Sequence, residues 1–329
     1  FLFDLNPKIQ FKNKYLPEIS ELKIFIKIIN EFKPELIIAV GGGAALDLAK
    51  ISNCLFGLKN DDLILNIKKN IYDTSKKFCE LVAIPTTAGS GAEATSNAVV
   101  YIENVKYSIE GENIKPDYII IEPNLILSTP KNIANAAGMD AIAQALESLL
   151  SVKSNTESVQ HAKKSLSYTL ENFVNHITQN TYETAYKMSL GALYAGKAIN
   201  ISKTTAPHAL SYPFTTFFNI KHGHAVNLTL NDFLEYNYIN SNKANVNFNL
   251  NDRFNLIFSL FNVKSINELT SNIKNISNKV GLELNFRDLN IKSKNDIDLI
   301  LSNINEQRLK NNPIKLNMDS IKSILMRKL

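Results

Sequence analysis

Apolar positions in the first third of the chain gather into short unbroken runs, Glu35-Leu-Ile-Ile-Ala-Val40, Leu81-Val-Ala-Ile84 and Tyr118-Ile-Ile-Ile-Glu122, each bounded by Gly or Pro. Runs this rich in Ile and Val predict strands buried on both faces of a partly parallel sheet. A helical pattern ending at Phe32 precedes the first of them, so this part reads as α/β. From about Pro130 the rhythm changes. Apolar residues recur at spacings of three and four over 132–150, 157–176 and 183–201, which predicts helices. The change falls in Glu122-Pro-Asn-Leu-Ile-Leu-Ser-Thr-Pro130, where two prolines bracket a linker that cannot continue a helix. The expected organisation is an α/β domain over 1–128 and an all-α domain over 129–329. Residues 238–251 are too rich in Asn for an element to be assigned and read as a mobile surface turn.

Composition narrows this picture. A chain of 329 residues with 45% hydrophobic content can bury cores for two domains. Its net charge of +5 is spread among acidic residues with no basic run, so no nucleic-acid partner is expected. Cys54 and Cys79 are the only cysteines and are not spaced as CxxC, which favours a reducing cytoplasmic compartment and disfavours a zinc–thiolate site. No apolar run reaches the roughly 18 residues of a membrane span, and no signal-peptide layout opens the chain, so no membrane partner is expected.

Candidate chemistry lies in four places. The first run leads into Gly41-Gly-Gly-Ala-Ala-Leu-Asp-Leu-Ala-Lys50, a glycine turn opening a helix whose N–H groups suit a diphosphate. The second run leads into Pro85-Thr-Thr-Ala-Gly-Ser-Gly-Ala-Glu-Ala-Thr95, which offers hydroxyls and N–H groups at a strand's carboxyl end. One glycine turn alone is as well explained by a tight connection; two such loops point to a dinucleotide. Asp140 and Gln144 then share one helical face, and His208, His222 and His224 fall within one short stretch downstream. Carboxylate and imidazole together suit a divalent metal such as Fe2+, Zn2+ or Mn2+. His161 and His176 sit in polar helical surroundings and read as surface residues.

These four segments, in this order, resemble the iron-containing alcohol dehydrogenase family, and the resemblance covers nearly the whole chain. It implies an N-terminal α/β nucleotide-binding domain and an all-α metal-binding domain, with NAD(P)H and a divalent metal as cofactors. It places Gly42, Gly43 and Asp47 at the cofactor phosphate turn, Thr86, Thr87 and Ser90 in a second cofactor loop, and Lys106 toward the nicotinamide. Asp140, Gln144, His208 and His222 fall on the family's four metal-ligand positions. Gln144 stands where the family usually has His, and Tyr212 where it often has another. Phe1-Leu-Phe-Asp-Leu-Asn-Pro7 resembles a segment after the family's second nucleotide-domain strand, so the domain is expected to be incomplete at its start, and the choice between NADH and NADPH rests on the part before it.

Within the family, the segments around Gln144, Ala195 and His208 are most similar to phosphonoacetaldehyde reductases, which form 2-hydroxyethylphosphonate. A phosphonate favours cations, and Lys197, Lys203 and Lys221 flank the histidine stretch, although each also suits a solvated helix surface. The implied reaction is reduction of an aldehyde to an alcohol, with the metal as Lewis acid. The proton is expected from His224 in preference to Tyr212, because imidazole titrates near neutral pH. Family precedent implies a homodimer or larger assembly. The rival readings are a general short-chain alcohol or glycerol dehydrogenase, a non-catalytic relative, and a sugar-phosphate cyclase such as dehydroquinate synthase.

Overall fold

The structure is a computed structural model that describes residues 7–329; the opening Phe1–Asn6 part of the N-terminal segment lies outside the described residues. The chain divides into two compact units. One comprises the chain up to Pro85 together with Ala92–Ile121. The other comprises Thr86–Gly91 together with Glu122–Leu329, so the second loop belongs to the helical unit.

The first unit contains helices α1 (Ile19–Phe32), α2 (Gly43–Cys54) and α3 (Asn60–Lys69), and strands β1 (Leu36–Gly41), β2 (Glu80–Pro85), β3 (Asn97–Ile102), β4 (Val105–Glu110) and β5 (Tyr118–Ile119). The three apolar runs form a parallel sheet in the order β1-β2-β5. Ala39, Leu81 and Ala83 pack on Leu46 and Ala49 of α2. Burial of β1 differs from the expectation: Leu36, Ile38 and Val40 are 43%, 54% and 53% exposed, so the described residues cover one face of the strand. The third run pairs over Tyr118–Ile119 alone, because Glu122 is taken up as the N-cap of the next helix and accepts from the Asn124 N–H.

The β3–β4 hairpin was not foreseen from the apolar pattern. Its turn residues Glu103 and Asn104 have φ of 52° and 65°, as a two-residue primed turn requires, and its inner face joins Leu22, Ile26, Leu48 and Ile51 of α1 and α2 in one core.

The second unit is helical throughout: α4 (Pro123–Leu127), α5 (Lys131–Leu150), α6 (Thr156–Thr178), α7 (Tyr182–Ser202), α8 (Ala206–Phe218), α9 (His222–Ile239), α10 (Leu250–Phe261), α11 (Ile266–Val280), α12 (Lys294–Leu301), α13 (Glu306–Leu309) and α14 (Met318–Met326). The bracketing prolines therefore enclose a short helix, with Pro123 at its start, where a missing N–H costs nothing. Helix α5 is the axis: every residue from Gly138 to Leu150 is buried, mostly against α6, α7 and α9. The Asn-rich stretch resolves into the end of α9, a 3-10 turn and the start of α10, with Asn249 as its N-cap. His176 is a correction: it is 3% exposed on the inner side of α6, not a surface residue.

Candidate metal centre

Helix α5 carries Asp140, Gln144 and Glu147 at positions that recur on one helical face, and all three are buried. Glu147 turns toward the first turn of α8, where backbone N–H groups lack helical partners. Its Oε1 accepts from the Thr205 N–H at 2.9 Å, the Thr205 hydroxyl at 3.0 Å and the His208 N–H at 3.3 Å. Its Oε2 takes His208 Nδ1. His208 Nε2 lies 3.2 Å from Asp140 Oδ1; without a cation Nε2–H donates to that carboxylate, and with one bound, Nδ1 donating to Glu147 leaves the Nε2 lone pair for the ion.

His222, the first residue of α9, is oriented in a parallel way. The Ser211 hydroxyl donates to the His208 carbonyl at 2.8 Å, so its oxygen accepts from His222 Nδ1 at 3.3 Å. His222 Nε2 then lies 4.0 Å from Asp140 Oδ1. Gly223 permits this approach of α9 to α5, since a methyl group there would lie 2.0 Å from the Ala136 carbonyl oxygen and 2.6 Å from Asp140 Cβ. One ligand atom each from Asp140, His208 and His222 lie within 4.8 Å of one another.

Gln144 completes the set. Its Nε2 donates to Asp140 Oδ2 at 3.1 Å and to the Ser90 carbonyl at 3.3 Å, while its Oε1 is buried with no hydrogen-bond partner. A buried amide oxygen left unsatisfied is costly. A cation beside the three ligand atoms would give it a partner, so the donor set fits a divalent metal: one carboxylate, two imidazoles with fixed tautomers and one amide oxygen. Without a cation, the two carboxylates hold a proton on His208 that a metal would displace. Burial pulls the His208 pKa down, but the Glu147 and Asp140 carboxylates outweigh it and push it up to about 9. Burial raises Asp140, yet the hydrogen bond from His208 and the charge of His222 hold it below the usual carboxylate range.

Tyr212 belongs to this cluster and His224 does not. The Tyr212 ring stacks on His222 with centroids 6.1 Å apart and planes 17° from parallel, and burial raises its pKa despite the opposing charge of Arg308. Two residues along a helix turn about 200°, so His224 projects from the side of α9 opposite His222. Its Nε2 meets the Glu283 carbonyl at 2.5 Å, and burial lowers its pKa. Titration range alone pointed to His224; helix geometry places it elsewhere. Of the flanking lysines, Lys197 sits with its amine 5.3 Å over the Tyr194 ring, and Lys221 is the N-cap residue of α9.

The second loop is fastened to the same helices. A methyl group on Gly89 would lie 2.7 Å from Ala137, and one on Gly91, whose φ is +61°, would meet Gly196 at 2.4 Å. Thr86 accepts at its carbonyl from the Thr129 hydroxyl at 2.6 Å. Thr86, Thr87 and Ser90 all remain partly exposed.

In the first unit, Gly42 is the N-cap and Gly43 the first residue of α2. Asp47, one turn on, accepts from the Val99 N–H at 3.1 Å and so holds the hairpin whose other strand carries Lys106. Burial pushes its pKa up to about 6 against the pull of Lys50 and Lys106. Lys50, not singled out from the sequence, is fully buried and donates to the Ala92 carbonyl at 2.7 Å, the Thr95 hydroxyl at 3.0 Å and the Asn97 carbonyl at 2.6 Å.

Family models for the iron-containing alcohol dehydrogenase match residues 9–123, and for the C-terminal part of the same family residues 134–329. The chain belongs to the iron-containing alcohol dehydrogenase family. Among curated relatives of this chain are aldehyde-alcohol dehydrogenase 2 of Entamoeba histolytica, 29% identical over 67% of this chain and 26% of the relative, and a phosphonoacetaldehyde reductase of Streptomyces viridochromogenes, 28% identical over 64% and 55%. The chain thus spans between about a quarter and about half of the length of these relatives. Its fold matches that of a sulfoacetaldehyde reductase from Bifidobacterium kashiwanohense solved with NAD+, with a TM-score of 0.83 at 24% identity over 96% of this chain and 81% of that one. An archaeal alcohol dehydrogenase from a Red Sea brine pool gives a TM-score of 0.87 at 18% identity over 97% and 83%. The family uses NAD(P) and a divalent metal. Among the described residues no helix is long and apolar enough to cross a membrane.

Proposed function

We propose that this dehydrogenase catalyses the metal-dependent, NAD(P)H-linked reduction of a short aldehyde to its alcohol, with phosphonoacetaldehyde, giving 2-hydroxyethylphosphonate, as the favoured substrate. The observation that carries the reading is the Asp140, His208 and His222 donor set with both tautomers fixed from behind, by Glu147 and Ser211. The likeness to a phosphonoacetaldehyde reductase supports the substrate.

Asp140, His208, His222 and the Gln144 amide oxygen would hold the metal. When bound, the metal polarises a carbonyl oxygen and a dihydronicotinamide supplies hydride. The residues of this chain do the rest. Gly42 and Gly43 present N–H groups at the start of α2 to the cofactor diphosphate, and Thr86, Thr87 and Ser90 offer hydroxyls from the loop tied to α5 and α7. Asp47 braces the hairpin that carries Lys106. The Tyr212 phenol is protonated at neutral pH, as phenols ordinarily are, and burial shifts its pKa further up, so its Oη carries a proton for the reduced oxygen. His224 has no part in this step.

The test is a steady-state assay of the metal-loaded protein with phosphonoacetaldehyde and propionaldehyde, each with NADH and NADPH, beside metal analysis. Metal-dependent turnover that favours phosphonoacetaldehyde is expected, and His208→Ala should lose both turnover and metal. Full activity of His208→Ala with no bound metal sinks the assignment.

A further inference from the structure

Helix α8 contains Pro213, whose missing N–H leaves the carbonyl of Ala209, one residue beyond His208, without its helical donor. The Asn305 N–H fills that place at 3.3 Å and plants α13 against α8. The short helix is braced a second time: the Asn311 amide donates to the Thr204 carbonyl at 3.1 Å, and the Val152 N–H donates to the Asn311 carbonyl at 3.0 Å. These contacts set Arg308 beside the metal centre. Its Nη1 donates to the Thr204 hydroxyl at 2.7 Å, and its guanidinium carbon lies 5.9 Å from the centroid of the Tyr212 ring, the same ring that stacks on His222.

Among the described residues the charge of Arg308 has no carboxylate within ion-pair distance. Lys68, Lys77, Lys322 and Lys328 each pair with a carboxylate, whereas among the described residues Arg308 forms no ion pair. A partly buried guanidinium carries donors in a rigid fork that matches two oxygens of a phosphonate, sulfonate or carboxylate, and Thr204 and Tyr212 use only part of that fork. The support beneath it is also unusual. Lys203 adopts φ 60°, ψ 171°, a backbone region that residues with side chains rarely occupy and that persists only where its surroundings enforce it. The two residues that follow serve the two ends of one site: Thr204 holds Arg308, and Thr205 holds Glu147, which orients His208.

We infer that Arg308 is a specificity-determining residue that binds the anionic group of the substrate, a phosphonate or a like oxyanion, while the aldehyde end lies toward Asp140, His208 and His222. This rests on the reductase reading above. It also departs from the flanking lysines as the source of the cation. Arg308 suits the role through its planar fork and its place beside Tyr212, and Lys197 is engaged with Tyr194.

The test compares wild type with Arg308→Met, which keeps the aliphatic stem, and Arg308→Lys, which keeps the charge without the fork. Binding of ethylphosphonate, an unreactive probe, is measured by calorimetry, and kcat and KM are measured for phosphonoacetaldehyde and for neutral propionaldehyde. Arg308→Met should weaken ethylphosphonate at least about tenfold, the scale of losing hydrogen bonds to a charged group. It should lower the phosphonoacetaldehyde to propionaldehyde ratio of kcat/KM by a similar factor, through KM, and Arg308→Lys should restore part of both. An unchanged ratio and affinity, or equal loss toward both aldehydes, overturns the inference and leaves Arg308 as a brace for α13. A wild type that reduces propionaldehyde but ignores ethylphosphonate also overturns it while leaving aldehyde reduction in place. A wild type that reduces neither aldehyde yet binds ethylphosphonate through Arg308 sinks the reductase reading and keeps the inference.

Discussion

A carboxylate that grips an imidazole by Nδ1 decides which nitrogen remains for a cation, and Glu147 does this to His208 while its other oxygen caps α8. Glu147→Gln keeps the shape and removes the charge. Loss of such a partner lowers metal affinity about 10-fold to 100-fold, which chelator competition would measure; unchanged affinity would show that Glu147 serves α8 alone. Asp140, Gln144 and Glu147 repeat at helical spacing, so Glu147 was within reach of the sequence once the face of α5 was drawn. Arg308 was not, because no pattern links it to Tyr212. Glu93 supplies a pH prediction. It is buried, and burial pushes its pKa up to about 7 despite its backbone hydrogen bond and Lys50. The folded state therefore holds a proton that the unfolded chain releases near pH 4.5, and the stability tied to that proton is lost as pH rises from about 4.5 through 7. Glu93→Gln should gain on wild type in unfolding temperature as pH rises from about 4.5 to about 7 and hold that gain at higher pH; a pH-independent difference would refute this.

Among the elements, the long helices were legible and the short strands only partly so. Helices α5, α6 and α7 carry apolar residues at helical spacing over 20 or more residues each, enough repeats to fix their type. The β3–β4 hairpin escaped because its turn is Glu103-Asn104 with no glycine to mark it. The titration range that favours His224 says nothing of direction, and the turn of α9 points its ring away from His222 toward the Glu283 carbonyl. The close crossing of α9 on α5 makes its own prediction. Gly223→Ala drives a methyl group into the Ala136 carbonyl and Asp140 Cβ, which should cost about 1–3 kcal/mol as overpacking and pull His222 from Asp140. Thermal unfolding and metal titration should fall together; a stable variant with intact metal binding would contradict the packing account.

At the scale of the whole chain, the metal is expected to act as a structural ligand as well as a reactive one, since His208 and His222 come from separate helices, α8 and α9, and both converge on α5. A ligand bound by the folded state alone stabilises it by about 4 kcal/mol at a free concentration of ~1,000 times Kd. Adding Zn2+ or Fe2+ to chelated protein should therefore raise the unfolding temperature of wild type and leave His208→Ala unmoved. Equal shifts in both would mean that the ion binds elsewhere. The sequence by itself determined the α/β-then-helical order, the glycine turn before α2, and the Asp140, His208 and His222 that the fold gathers, because periodicity and rare residue types survive in one dimension. Tertiary structure alone decided that Tyr212 and not His224 joins the cluster, that Gln144 keeps an oxygen to spare, and that Arg308 comes to rest beside Tyr212. Those outcomes depend on how helices far apart in the chain cross and cap one another, and on hydrogen bonds such as Asn305 to Ala209 that link segments with no shared pattern.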